Sequence, residues 1–266
     1  ATRDEAAAAL RHFVATRLPT FGRWEDAMLG ADPFMSHSLL SPALNLGLLD
    51  PLACVRAAEA AYRDGTAPLA SVEGFVRQIM GWRDYVWHLY WHFGPDYRRR
   101  NAFDARAAVP DWLWRLDAET VTARCLRTVV ADVRRRGWTH HIARLMVLGN
   151  WALQRGVDPA ALAAWFHASF VDGYDWVMVP NVVGMSQHAD GGLMATKPYA
   201  AGGAYLDRMS DFCAGCAYDP AVRVGPRACP FTAGYWAFLA RHAERLRANH
   251  RMRQPLAGLG RLRDLD

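Results

Sequence analysis

The stretch VEGFVRQIMGWRDYVWHLYWHF, residues 72–93, decides the fold class. Its apolar positions recur every three to four residues, the period of a helix buried on one face, not the two-residue alternation of a strand. Gly94-Pro95 ends it, because proline cannot continue a helix. Working outward, the same period predicts helices over Ala6–Leu18 and over Pro51–Arg63, which has proline in its first turn. It predicts others over Ala118–Arg136, stopped by Gly137, and over His140–Gln154, ending before Gly156. Asp158-Pro159 caps and opens a further helix through Phe170, and Tyr235–Asn249 is the last. Only short pieces such as Trp176–Val179 look strand-like. Two segments, 26–49 and 179–230, are rich in Gly and Pro and read as long loops, where function concentrates. The expected fold class is mainly α, over 1–266, with no repeat and no low-complexity linker.

Lysine plus arginine exceed the acids, 31 against 26, for a net charge of +5. Lys197 is the only lysine, so the excess is arginine, which grips phosphate in two-point fashion and stacks on bases. Nucleic acid is therefore an expected partner, and an arginine-rich genome is the plain alternative. Most of the eleven tryptophans belong to the core, but so many suggest a flat aromatic ligand or a hopping route for electrons. No apolar run approaches the ~20 residues of a membrane span. The start reads as the middle of a helix, so a longer parent protein is expected, with the cytosol as its home.

Cys213-Ala-Gly-Cys216 presents two thiols to one metal centre, and Cys229-Pro230 follows in the same loop. Zinc would take a histidine as fourth ligand, whereas a [4Fe–4S] cluster prefers a fourth thiolate. Cys54 and Cys125 are both available, and spacing does not choose between them. Thr139-His140-His141-Ile142-Ala143-Arg144 opens a helix and offers a proton-transfer group beside a fixed cation. Zinc binding or simple surface placement would explain the same histidines. Asp172 and Asp175 are the acidic counterpart, and either would pair with Arg144. Ser36-His37-Ser38-Leu39-Leu40-Ser41-Pro42 gives hydroxyls and backbone N–H groups in a turn fit for a diphosphate. Trp82 and Arg83 sit mid-helix, one to stack and one to reach a phosphate.

Together these residues resemble the photolyase/cryptochrome family, above all its bacterial iron–sulfur branch of (6-4) photolyases. Residues 36–44 resemble the family's T-S-x-L-S-P-x-L loop, with His37 in place of threonine. Residues 82–85 resemble its W-R-E-F helix, and 140–144 its H-H-L-A-R segment. Residues 172–175 resemble its D-x-D segment with one residue added. Pro180–Gln187, Ala195–Tyr199, Arg208–Asp211 and the cysteines resemble the iron–sulfur branch.

The resemblance implies a helical, FAD-binding region. FAD would lie against His37, Ser38, Leu39, Leu40, Ser41, Trp82, Arg83, Arg144, Asp172, Asp175 and Asn181. A [4Fe–4S] cluster would be held by Cys125, Cys213, Cys216 and Cys229, leaving Cys54 as a core thiol. It also implies light-driven repair of (6-4) products in UV-damaged DNA. His141 would be the proton donor with His140 beside it, Tyr199 would face the lesion, and Trp165 would stand next to the flavin in photoreduction. The family's α/β antenna domain, with its own chromophore, is not in this stretch. A monomer in a bacterial cytoplasm is implied. Two positions depart from the pattern: Leu145 stands where a second histidine is found, and Met178 where a polar side chain faces the flavin. A cryptochrome-type photoreceptor without repair activity would share most of these residues. A non-photochemical iron–sulfur DNA-binding domain like that of the primase large subunit would share the cysteines.

Overall fold

The computed structural model describes residues 2–262, which form a mainly helical structure. Helix α1 (Arg3–Thr16) starts at a reciprocal cap: Thr2 accepts from the Glu5 backbone, and the Glu5 side chain accepts from the Thr2 backbone. α2 (Leu18–Trp24), the short α3 (Ser41–Asn45) and α4 (Pro51–Arg63) follow. Asp50 caps α4 ahead of a proline that needs no hydrogen-bond acceptor in the first turn. The long helix through residues 72–93 is three pieces: α5 (Leu69–Val76), a π-helical turn (Arg77–Trp82) and α6 (Arg83–Phe93). Gly94 ends it at φ +66, a conformation costly for any side-chain-bearing residue.

The second half begins with α7 (Asp111–Trp114) and α8 (Arg124–Arg136), stopped by Gly137 at φ +60. A π-helical turn (Ala143–Gly149) leads into α9 (Asn150–Arg155), and α10 (Pro159–Ser169) opens on the Asp158 cap. α11 (Asp175–Val179) continues into a third π-helical turn (Pro180–Ser186). α12 (Gly203–Met209), α13 (Pro230–Leu246) and α14 (Arg253–Leu259) complete the described chain.

Three readings of the sequence are corrected. Trp176–Val179 is helical, and its branched residues mark burial, Val179 being in the core, rather than strand pairing. The helix expected from Ala118 begins only at Arg124. The two long loops each contain helix: α3 in the first, a π-helical turn and α12 in the second. Among the described residues, β-pairing is limited to isolated bridges such as Met28 with Ser210. No helix among them is long and apolar enough to cross a membrane.

Two large apolar clusters form the core. One gathers Phe13, Phe21, Leu40, Leu44, Cys54 and Phe75 from α1 to α5. The other gathers residues of α8, α10 and the second and third π-helical turns, with Trp165 and Phe231 fully enclosed. A smaller one, around Phe238 and Leu239, holds α13 and α14. Ser41, flanked by Leu40 and Leu44 of the first cluster, hydrogen-bonds Asp172, near Phe170 of the second, and this contact marks the seam between them.

Candidate functional site

The centre is a three-way contact across that seam. Arg144 makes a two-point ion pair with Asp172, its two terminal nitrogens donating at 2.9 and 3.0 Å. The hydroxyl of Ser41 donates to the same carboxylate at 2.6 Å. Both partners are largely buried, their side chains 17% and 7% exposed, so the pair keeps most of its electrostatic strength. The guanidinium is further held by its Nε donating to the Thr139 carbonyl at 2.6 Å and by the ring of Phe170, 4.3 Å away. Of the two acids, Asp172 therefore takes Arg144.

The network extends outward through α3. Asn45 donates to the Asp172 carbonyl at 3.5 Å and accepts from Arg83 at 3.0 Å. Arg83 also lies over the Trp176 ring at 4.7 Å. Trp82 donates from its indole nitrogen to Asn181 at 3.2 Å. Trp82, Arg144 and Asn181 each occupy one of the three π-helical turns. Such turns carry one more residue than an α-turn and recur at functional sites. The serine loop is strained at the same place: Leu39 has φ +61 and Met35 φ +44. Leu40 is buried in the first core, and the Ser38 hydroxyl accepts from its backbone at 3.4 Å.

Three histidines abut this network. His37 and His140 stack at 4.4 Å, and His37 Nε2 lies 3.2 Å from His141 Nδ1. Burial lowers the pKa of His37 to about 4, with the nearby His141 adding to the effect. Burial likewise lowers that of His140 to about 2, followed by the adjoining histidines and Arg144. Both are neutral at physiological pH. His140 Nδ1 is buried with no hydrogen-bond partner. His141 is half-exposed, and its Nε2 lies 3.4 Å from Asp26.

The cysteines form a second centre. Cys125, Cys213, Cys216 and Cys229 all line one small cavity, closed by Leu206, Phe212, Tyr218 and Phe231. Cys54 lies in the other core cluster. The Cys213–Cys216 turn closes with the Cys216 N–H donating to the Cys213 carbonyl at 3.1 Å, and Gly215 supplies φ +71. Arg124 donates to the Ala214 carbonyl, tying this turn to the helix that carries Cys125. Burial pushes the Cys213 thiol up to about 12, with Asp207 adding, and burial also raises Cys125. The histidine trio is the only group of three or more metal-binding side chains among the described residues whose donor atoms lie within 4.8 Å of one another. No three thiols are that close. One tetrahedral ion with sulfurs about 2.3 Å away would draw them to roughly 3.8 Å.

Other expected site residues lie apart. Asp175 accepts from Tyr90 at 2.6 Å and from Arg98 at 2.8 Å, in an exposed pair worth little to stability. Tyr199 is half-buried against the second core. Trp165 is fully enclosed, donates to the Leu113 carbonyl at 2.9 Å and meets Phe170 edge-on at 5.9 Å. It is thus one ring removed from Arg144. Met178 is buried in α11. The sequence reading missed Asn45, Asp26 and Thr139. Asn45 had one usable signal, its position one helical turn after Ser41. Asp26 and Thr139 had none.

Gly173 fixes the approach of Asp172. A methyl group there would lie 2.7, 2.8 and 3.0 Å from the backbone oxygens of His167, Phe170 and Phe166. Backbone at a helix end cannot step aside, so Gly173→Ala is expected to cost ~1–3 kcal/mol. Thermal unfolding checks this; an unchanged Tm would show that the segment is looser than described.

No family model matches the chain. It is 49% identical over 261 residues, 98% of its length, to a (6-4) photolyase of Agrobacterium fabrum, and covers 51% of that protein. It also matches two uncharacterized mimivirus proteins, R855 at 41% identity over 66 residues and R853 at 38% over 74. These matches cover 25% and 27% of the chain, and 54% and 57% of the viral proteins. The chain thus spans about half the length of the curated relatives it matches. Among solved structures, a bacterial class III photolyase from Agrobacterium tumefaciens superposes with a TM-score of 0.65 at 20% identity. That likeness of fold covers 93% of this chain and 56% of the other. Over the residues it spans, this chain is thus similar in sequence to a bacterial (6-4) photolyase and in fold to a bacterial class III photolyase.

Proposed function

We propose that this chain is the flavin-binding, lesion-facing part of a light-driven (6-4) photolyase that repairs UV-damaged DNA. The observation that carries the reading is the convergence of Ser41, Asn45, Arg83, Arg144 and Asp172 in one network beside three histidines. The residues suit FAD: a strained turn with hydroxyls, two arginines, and an unpartnered buried imidazole nitrogen on His140. When bound and reduced, FAD supplies the electron that light drives onto the lesion. Arg144 and Asp172 orient each other and present a fixed cation and anion to a polar ring edge. Ser38, Leu39 and Leu40 contribute backbone, Trp82 and Asn181 a second wall, and Trp165 a buried ring behind Phe170 for electron supply.

His141 is the one member of the trio open to solvent, and it holds the proton that a migrating lesion oxygen requires. Tyr199 shapes the lesion cavity. The base must leave the duplex to arrive there, and surface arginines hold the flanking phosphates. The four thiols fit a [4Fe–4S] cluster in donor type and in a spacing wider than one ion needs. The cluster would join the Cys213–Cys229 segment to α8.

The test is repair of a (6-4)-containing oligonucleotide by reduced, illuminated holoprotein. His141→Ala is expected to lower repair per bound flavin by about 10²–10⁴-fold, the usual weight of a general acid. Unchanged turnover would remove His141 from that role. A lesion that persists with wild-type protein at full flavin occupancy would favour a photoreceptor over a lyase.

A further inference from the structure

We propose that His37 is a positioning residue for the proton donor: it accepts a hydrogen bond from His141 and, with Asp26 on the opposite side, holds His141 in its doubly protonated form. This rests on the reading of His141 as the acid. His37 stands on a strained loop. Met35 and Leu39, two residues to either side, both have positive φ. Asp32 accepts from the Phe34 and Met35 backbone at 3.1 and 3.0 Å, and the Ser36 hydroxyl meets that of Thr20 at 2.8 Å. A strained, anchored turn thus aims one imidazole at a partner 104 positions away in sequence.

The proton positions follow from the partners. His37 Nδ1 lies 3.1 Å from the Phe34 carbonyl oxygen. A lone pair there would oppose the oxygen's own, so the single proton of a neutral His37 sits on Nδ1. The Glu25 carbonyl also meets this ring and favours its protonated form, but burial outweighs both carbonyls and leaves His37 a single proton; with that proton on Nδ1, Nε2 is a lone pair facing His141 Nδ1 at 3.2 Å. His141 therefore donates from Nδ1. Its Nε2 faces Oδ1 of Asp26 at 3.4 Å, and a carboxylate only accepts. With an acceptor at each nitrogen, His141 completes both contacts only when it carries both protons.

The surroundings keep the proton on His141. His37 and His140 are buried and held neutral, so neither competes for it. Asp26 is held ionised, first by its hydrogen bond with His141. The remaining titratable and charged groups about the trio and Asp26 are Glu25, whose carboxyl is raised chiefly by burial, Tyr205, whose phenol is raised by burial and then by Asp26 and so stays neutral, and the cation of Arg144, already paired with Asp172.

The test uses flavin-loaded holoprotein and two readouts. Nitrogen NMR of histidine-labelled protein, assigned with His141→Gln, reports whether both His141 nitrogens are protonated. Repair per bound flavin against pH reports the acid in use. His37→Leu removes the acceptor and is expected to lose the doubly protonated signal at lower pH, moving the alkaline limb of repair down by about one pH unit. His37→Gln restores an acceptor oxygen and is expected to recover most of that shift. Asp26→Asn, at an exposed position, is expected to move the limb the same way should His37→Leu fail to fold. Unchanged profiles in His37→Leu, or equal shifts in the Leu and Gln variants, would overturn the proposal. A wild-type protein that repairs nothing, yet shows the stated NMR response, would sink the lyase reading and leave the hydrogen-bond relay standing.

Discussion

Cys125→Ala is expected to empty the protein of iron and acid-labile sulfide, while Cys54→Ala leaves both at the wild-type level. The two cysteines are alike in sequence context, each on an amphipathic helix and each buried. They differ in where the fold puts them. Cys125 shares a cavity with Cys213, Cys216 and Cys229, and Cys54 packs among Leu44, Ala58 and Phe75. Four thiols around one apolar cavity are poor neighbours as thiolates without a cation, and burial holds Cys125 and Cys213 protonated. A cationic centre reverses that preference. It would also replace much of the tertiary contact that a Gly- and Pro-rich segment cannot make for itself. Cys125→Ala should therefore loosen the 213–229 segment as well, seen as new protease cleavage there. Iron retained in Cys125→Ala would place the fourth ligand elsewhere.

Asp172→Asn is expected to release the flavin and to destabilise the fold by ~3–5 kcal/mol, the range for a buried ion pair that loses one partner. The carboxylate neutralises Arg144 and accepts from Ser41, while the main-chain carbonyl of Asp172, which the substitution leaves in place, accepts from Asn45. An amide has nearly the same shape, so the loss reads charge rather than packing. The second variant separates stability from binding. Arg144→Met combined with Asp172→Asn removes both charges and is expected to regain part of the stability but none of the flavin. Thermal unfolding and flavin content of the three proteins check this. Flavin retained by the double variant would show that the pair serves the fold alone.

The helices were legible because their apolar period is long and their ends are marked: Gly94, Gly137 and Gly156 stop three of them at positive φ. The π-helical turns at Trp82, Arg144 and Asn181 were not legible. One extra residue in a turn leaves the apolar pattern almost unchanged, and packing between the two cores decides it. Trp176–Val179 misled because branched residues report burial as readily as strand pairing. The Arg144–Asp172 pair was legible as a choice between two acids, and the fold settled it by sending Asp175 to Tyr90 and Arg98. His37 read only as part of a phosphate-cradling turn. Its contact with His141 depends on a loop conformation that no local spacing encodes, and the same holds for Asp26.

The site is proposed to hold a flavin beside a cluster-bearing loop. The absorption spectrum of the purified protein tests that most directly. The expected spectrum has flavin bands riding on a broad iron–sulfur shoulder in the visible, with the bands absent in Asp172→Asn and the shoulder absent in Cys125→Ala. A colourless wild-type protein that takes up zinc on its cysteines would contradict it.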